Sequence, residues 1–392
     1  MKYINIGYIN IKFLIPVSGG IIGLIFKFSI VNNPKYFVIG DNPFLYNMYV
    51  TYVTFGLIFA VFPFLIIKYK SKRLHKITNE QINKSKLYKK LKGDRNILKK
   101  LRFKKYRFIF YSTIFDFLQT LTINLFILTF VYNLWIFDII FISLFSYLIL
   151  QTKLFKHQYI SMILIIILGL GLNVIAYFKL DEKEEDKIKP FEIFIKFISE
   201  ICFCMSVVIM KYNMEKNYCD PYELCMWEGV FGFILHSICL TIFCLGGLSA
   251  NGIKHPEILI NYFEQFDYND LIVALAIIFV HFIYNIIIIL TCDYLTPTHI
   301  LICSIIKETS IYFKQDSNLV LNILGIIILI LIAFLFLVFI EVIEINIFNI
   351  SYNTKKNIDL RSKNEALIEF SSVTTIDADF EFERNIESKT TL

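Results

Sequence analysis

Apolar runs of about membrane-crossing length, parted by short polar connections, set the pattern of this chain. Ten of them read out, at roughly 13–31, 44–67, 108–130, 133–151, 159–178, 191–210, 222–245, 270–291, 294–313 and 319–345. A helix needs roughly 20 residues to cross a bilayer, so each run predicts a transmembrane helix. Between the second and third lies a stretch of opposite character. Of the forty residues from Lys68 to Arg107, seventeen are Lys or Arg, and only Glu80 and Asp94 are acidic. Clustered positive charge stays on the cytoplasmic side, which puts both termini there as well. The other connections agree with that orientation: Lys153 and Lys156, Lys211 and Lys216, and the tail lysines fall inside, and the far side carries more balanced or acidic segments.

Ten helices divide as five plus five around the charged segment 179–190. Because five is odd, two repeats of that length would lie upside down relative to each other, a recurrent plan of secondary transporters. The expected fold is therefore an all-α polytopic membrane protein, its ten transmembrane helices arranged as two inverted five-helix repeats. Residues 1–178 form the first repeat with the basic loop 68–107, 179–190 a lumenal linker, and 191–350 the second repeat. The segment 351–392 is polar, mixed in charge and expected to be a disordered cytoplasmic tail. Runs three and four, and runs eight and nine across 292–293, are joined by almost nothing, so each pair is expected to make a tight helical hairpin.

Composition narrows the class. The hydrophobic fraction of 56% and mean hydropathy of +0.61 exceed what a soluble core needs. A net charge of +6 gives no case for nucleic acid, since the excess sits in one juxtamembrane stretch without a binding motif. All eight cysteines fall in the second half, inside or beside predicted helices, so free thiols are expected. The first apolar run lacks a small-residue cleavage site and is expected to be retained. No metal pattern appears among the six His and no catalytic constellation is credible, so no cofactor, metal or enzyme activity is expected.

Ionisable groups in hydrocarbon need a partner or a cavity, which makes them the candidate chemistry. In the first run Gly19, Gly20 and Gly23 allow close helix approach, and Lys27 either snorkels to the interface or faces a cavity. Asp116, Gln119 and Thr120 share one helix face with Thr113 a turn before, a polar stripe that suits a cavity. Asp138 lies near a short lumenal turn and is expected to be solvated there. Lys196 and Glu200, four apart, are expected to neutralise each other, and Glu228 is read either as buried function or as a cytoplasmic cap. His281 and Asn285 share a face in the eighth run. Lys307 and Glu308, adjacent and opposite in charge, cannot both face lipid.

Several stretches resemble the drug/metabolite transporter superfamily, and within it the nucleotide-sugar-transporter-like F branch of solute carrier family 35, with its EamA-type repeats. They are Gly19 to Lys27, Asn42-Pro43-Phe44-Leu45, Ile114-Phe115-Asp116, Leu150 to Gly169, and Tyr284-Asn285 through Leu295-Thr296-Pro297-Thr298 to Lys307. The most specific is Trp227-Glu228-Gly229-Val230-Phe231-Gly232-Phe233. The likeness spans about 13–345. It departs where charges are expected and the chain has Thr54, Trp135 and Ile300, and Lys307 stands where the family pattern has Arg. The resemblance implies a central cavity open to each side in turn, and a homodimer paired through helices five and ten.

Together these readings predict a secondary transporter carrying a small polar solute, nucleotide-sugar-like or another metabolite, across an internal bilayer: Golgi, endosomal, lysosomal or vacuolar. Lys27, Asp116, Gln119, Glu228, Asn285 and Lys307 are its expected solute-binding residues. The alternative is a transport-inactive membrane scaffold or receptor of the same fold, motivated by the missing cavity charges.

Overall fold

The computed structural model describes residues 4–6, 11–32, 43–69, 95–126, 134–178, 190–217, 219–245, 268–308 and 319–345. The 70–94 part of the basic stretch, residues 179–189 of the expected linker and the expected tail 351–392 lie outside the described residues.

The described residues are almost entirely helical. A helical segment lies over each apolar run: α1 (Leu14–Asn32), α2 (Pro43–Leu57), α3 (Arg95–Phe126), α4 (Asp138–Phe145) and α5 (Lys156–Phe178). Then follow α6 (Pro190–Asn217), α7 (Pro221–Leu245), α8 (Tyr268–Tyr294), α9 (Ile300–Glu308) and α10 (Leu319–Phe339). α2 tightens into a 3-10 turn at Ile58–Ala60 and resumes over 61–69. Similar turns at Leu134–Phe137 and Pro297–His299 lead into α4 and α9, and α4 runs on into a π turn at Ser146–Leu150.

Six stretches are long and apolar enough to cross a membrane: Val50–Tyr69, Lys156–Ile175, Ile193–Asn217, Pro221–Ile242, Ala274–Tyr294 and Val320–Phe339. Shorter apolar helices cover Leu14–Ile25, Leu134–Leu150 and Pro297–Lys307. On α5, Ile167, Leu170 and Val174 share one helix face and are each more than half exposed. Water does not tolerate many such faces and lipid does, which fits a multi-pass membrane protein.

The chain forms two compact units, the larger made of Asn10–Lys153 and Leu164–Phe334. In it α3 packs most extensively on α6, which also meets α4 and α8. α7 crosses α2, α3 and α8, and α1 lies against α8 and α9. Glycines allow the α1 contacts, as expected. A Cβ on Gly19 would stand 2.8 Å from Ile287 Cγ2, and one on Gly20 would stand 2.7 Å from Ile306 Cβ. Without a strong hydrophobic drive between helices in lipid, such close approach supplies the packing energy. Leu57, Ile109, Met210, Leu224 and Ile288, from five helices, meet in the buried core.

Three boundaries differ from the sequence reading. α3 begins at Arg95, so the last part of the basic stretch is helical, and 32 residues make a rod of roughly 48 Å, longer than a bilayer is thick. No Pro or Gly interrupts it. α8 runs past 292–293 to Tyr294, and the link falls at Leu295–Thr296. There Thr296 is the N-cap, with Pro297 following and the His299 ring 2.7 Å from its hydroxyl. Lys211 is not in a loop, because α6 continues to Asn217. It is 7% exposed, and its Nζ donates to the carbonyls of Asp293 and Leu295 at 3.1 and 2.9 Å. A cation at the end of α8 serves carbonyls that have no partner in their own helix.

The smaller unit comprises Met1–Ile9, Leu154–Ile163 and Leu335–Leu392. Strand β1 (Ile4–Ile6) pairs antiparallel with β2 (Ile343–Ile345), Ile4 opposite Ile345. The tenth apolar run therefore ends its helix at Phe339 and closes with Glu341 at φ 63°, where Val342 N–H donates to Leu337 O at 2.9 Å. That left-handed residue is usually Gly. Here its carboxylate lies 3.2 Å from His157 Nε2, within ion-pair distance though poorly aligned for a hydrogen bond.

Candidate functional site

Charged side chains gather at two places inside the larger unit. The first is the seam where α7 crosses α2 and α3. Gly229 sets its width: a Cβ there would lie 2.8 Å from both Leu57 Cβ and the Ile58 backbone nitrogen, where α2 tightens into its 3-10 turn. Gly232 is similarly close to Thr54, at 3.3 Å. That approach carries Glu228 against α3, where it is 8% exposed and its Oε1 accepts from Ser112 Oγ at 2.8 Å. The same hydroxyl lies 2.8 Å from the Ile109 carbonyl. A serine has one proton, so it serves the two acceptors in turn unless Glu228 brings a proton of its own.

Asp116 stands one turn along α3 from Ser112, half-buried, and its charge acts on Glu228. The charge that acts on the glutamate is thus that of a second carboxylate. Thr54 and Thr113 are buried here with their hydroxyls returned to carbonyls of their own helices. The His236 ring lies against Phe117 at 4.9 Å between centroids, and Trp227 packs on Tyr106 and Phe231. Gln119 is half-buried, and its backbone carbonyl accepts from Ser199 Oγ at 3.4 Å.

The second place is the contact of α4 with α6. Asp138, expected to be solvated at a lumenal turn, is 1% exposed. The 3-10 turn before it continues directly into α4, so the carboxylate is carried into the packed interior. Beside it Lys196 and Glu200 form the expected i, i+4 ion pair at 2.6 Å, Glu200 buried. The charges of Glu200, Lys196 and Lys307 all act on Asp138. Lys307 comes from α9 and is half-buried, its stem placed so that a Cβ on Gly23 would meet it at 3.6 Å.

The six expected binding residues therefore separate. Asp116 and Glu228 influence each other's charge at the seam, and the charge of Lys307 reaches Asp138 at the second place. Gln119 follows Asp116 on the same helix. Asn285 donates its amide to the His281 carbonyl at 3.0 Å, within its own helix. The side chain of Lys27 lies outside the described residues. Sequence reasoning passed over the burial of Asp138, the helix-capping role of Lys211 and the position of His236. The signal for Asp138 was present, since an acid inside Asp-Ile-Ile-Phe-Ile-Ser-Leu-Phe has no turn residue to bring it to water.

The described cysteines, Cys202, Cys204, Cys219, Cys225, Cys239, Cys292 and Cys303, are all free thiols. Neither a scan of protein-family models nor a search of curated proteins finds a match for this chain. The likeness to drug/metabolite transporters therefore rests on the quoted residues alone.

Proposed function

We propose that the chain is a secondary transporter moving a small polar solute across an internal membrane by alternating access, with ten transmembrane helices in two inverted sets of five and both termini cytoplasmic. One observation carries this reading: the interior charges meet between the two sets. The charge of Asp116 on α3 acts on Glu228 of α7, and that of Lys307 on α9 acts on Asp138 of α4. Secondary transporters of this plan bind their solutes at such an interface.

The helix contacts support the repeat. Exchanging each helix for the one five places along carries α3–α6 into α8–α1, α4–α6 into α9–α1, α7–α3 into α2–α8, and α2–α3 into α7–α8. α2–α7 maps onto itself. Among the described residues the α6–α8 and α8–α9 contacts lack counterparts in α1–α3 and α3–α4, so the exchange preserves the main crossings and not every one, which still suits two similar halves that can rock against each other. In this reading the acidic seam takes donor groups of the solute, and Lys307, with Lys27 on the same α1 face as Gly23, takes acceptor groups.

The test is purified chain, first screened for thermal stabilisation by nucleotide sugars, nucleotides, amino acids and organic cations, then reconstituted in liposomes for counterflow of the stabilising solute. Saturable counterflow is expected, lost in Lys307→Ala and recovered in part by Lys307→Arg, with helical content unchanged. No stabilisation by any class and flux equal to empty liposomes would overturn the reading in favour of a transport-inactive scaffold.

A further inference from the structure

We propose that Asp138, at the α4–α6 contact, is a proton-binding site and, resting on the transporter reading above, the point at which proton movement is tied to that of the solute. Its Oδ1 has no hydrogen-bond partner among the described residues, and the side chain is 1% exposed. With one oxygen left without a donor and only the weak thiol donor of Cys204 acting on the carboxylate, the buried anion is unfavourable, and taking up one proton removes that penalty. The helix start offers no relief. Phe137 before it is itself in helical conformation and makes no side-chain cap.

The groups facing Asp138 come from each element packed on α4. α6 brings the Lys196–Glu200 pair and Cys204, whose Sγ lies 3.9 Å from the Asp138 carbonyl. The turn before α9 packs on α4 and brings His299, which is engaged by Thr296, and the charge of Lys307 reaches Asp138 from α9 itself. Two carboxylates and two ammonium groups thus balance when Asp138 is ionised, and protonation changes the cluster by one unit of charge. An alkali cation would need a shell of oxygens and would meet two ammonium groups. A proton needs a single lone pair.

Two further unsatisfied polar groups follow Asp138 in the same helical stretch. Ser143 and Ser146 are buried with hydroxyls that have no partner among the described residues, and Ser146 opens the π turn. Unsatisfied buried hydroxyls are where ordered water is held, and π turns recur at functional sites.

Infrared difference spectroscopy of the full chain in nanodiscs, with isotope-labelled aspartate to separate Asp from Glu, tests this without any solute. A protonated-carboxyl band that titrates with pH is expected in the unaltered chain, absent in Asp138→Asn and retained in Asp116→Asn. Should Asp138→Asn not fold, Glu200→Gln moves the titration toward acid and Lys307→Gln moves it toward alkali. A band unaffected by all of these changes, or displaced by sodium at constant pH, would overturn the proposal. Because this reading needs no transport, its failure is separable from failure of counterflow.

Discussion

Glu228 and Asp138 are both buried carboxylates delivered by helix contacts, yet their surroundings differ in kind. Glu228 at the α2–α3–α7 seam has a serine hydroxyl at 2.8 Å and the like charge of Asp116 nearby. Asp138 sits among charges of both signs, with the Lys196–Glu200 pair closed at 2.6 Å and Lys307 acting from α9. A low-dielectric interior magnifies both attraction and repulsion. At the mixed cluster the gain or loss of one proton on Asp138 is felt by charges of both signs, whereas two like charges at the seam favour arrival of something positive or hydrogen-donating. The seam is narrow because of a glycine and the cluster is closed because of an ion pair, so each can be altered separately.

The largest effect is expected from Glu200→Ala, which strands Lys196 beside Asp138. Breaking a buried pair removes several kcal/mol. With Lys196 still 17% exposed, the loss should be about 2–3 kcal/mol. The double change with Lys196→Met should recover most of it in denaturation from detergent micelles. Equal losses in single and double variants would mean the pair is not coupled and the contrast with the seam is false.

Gly229→Ala comes next, at about 1–3 kcal/mol, because the added methyl meets the α2 backbone and not a side chain that can turn away. Gly232→Ala, which meets the Thr54 methyl at 3.3 Å, should lose less in the same assay. The reverse order would show that the seam is not set by Gly229.

Ser112→Ala should have the smallest effect, about 1 kcal/mol, as expected for one hydrogen bond in a membrane interior. Paired with Glu228→Gln in a double-mutant cycle, it should show weaker coupling than Lys196 with Glu200. Stronger coupling would make the seam the tighter site.

Much of the local structure was legible beforehand. Asp220 before Pro221 is a start signal for α7 that the reading of apolar runs left unused, its Oδ1 accepting from Tyr222 N–H at 2.9 Å. Gly19, Gly20 and Gly23 signalled the close contacts of α1, and the four-residue spacing of Lys196 and Glu200 signalled their pair. The β1–β2 pairing was missed although Ile4-Asn5-Ile6 and Ile343-Glu344-Ile345 both alternate. Strands this short acquire meaning only from a partner hundreds of residues away. Lys211 was misread for a similar reason, since a lysine near the end of an apolar run looks like a loop charge until the carbonyls of another helix are placed beside it.

By itself the chain of residues determined where helices form and that their outer faces suit lipid, because a helix closes its own backbone hydrogen bonds and only its side chains answer to the solvent. Which charges share the interior was decided by the tertiary structure. Ser112 and Glu228 are 116 positions apart and Asp138 and Cys204 are 66 apart. Side-chain electrostatics acts over a few ångströms of space, and only the crossing of helices turns such separations in sequence into contact.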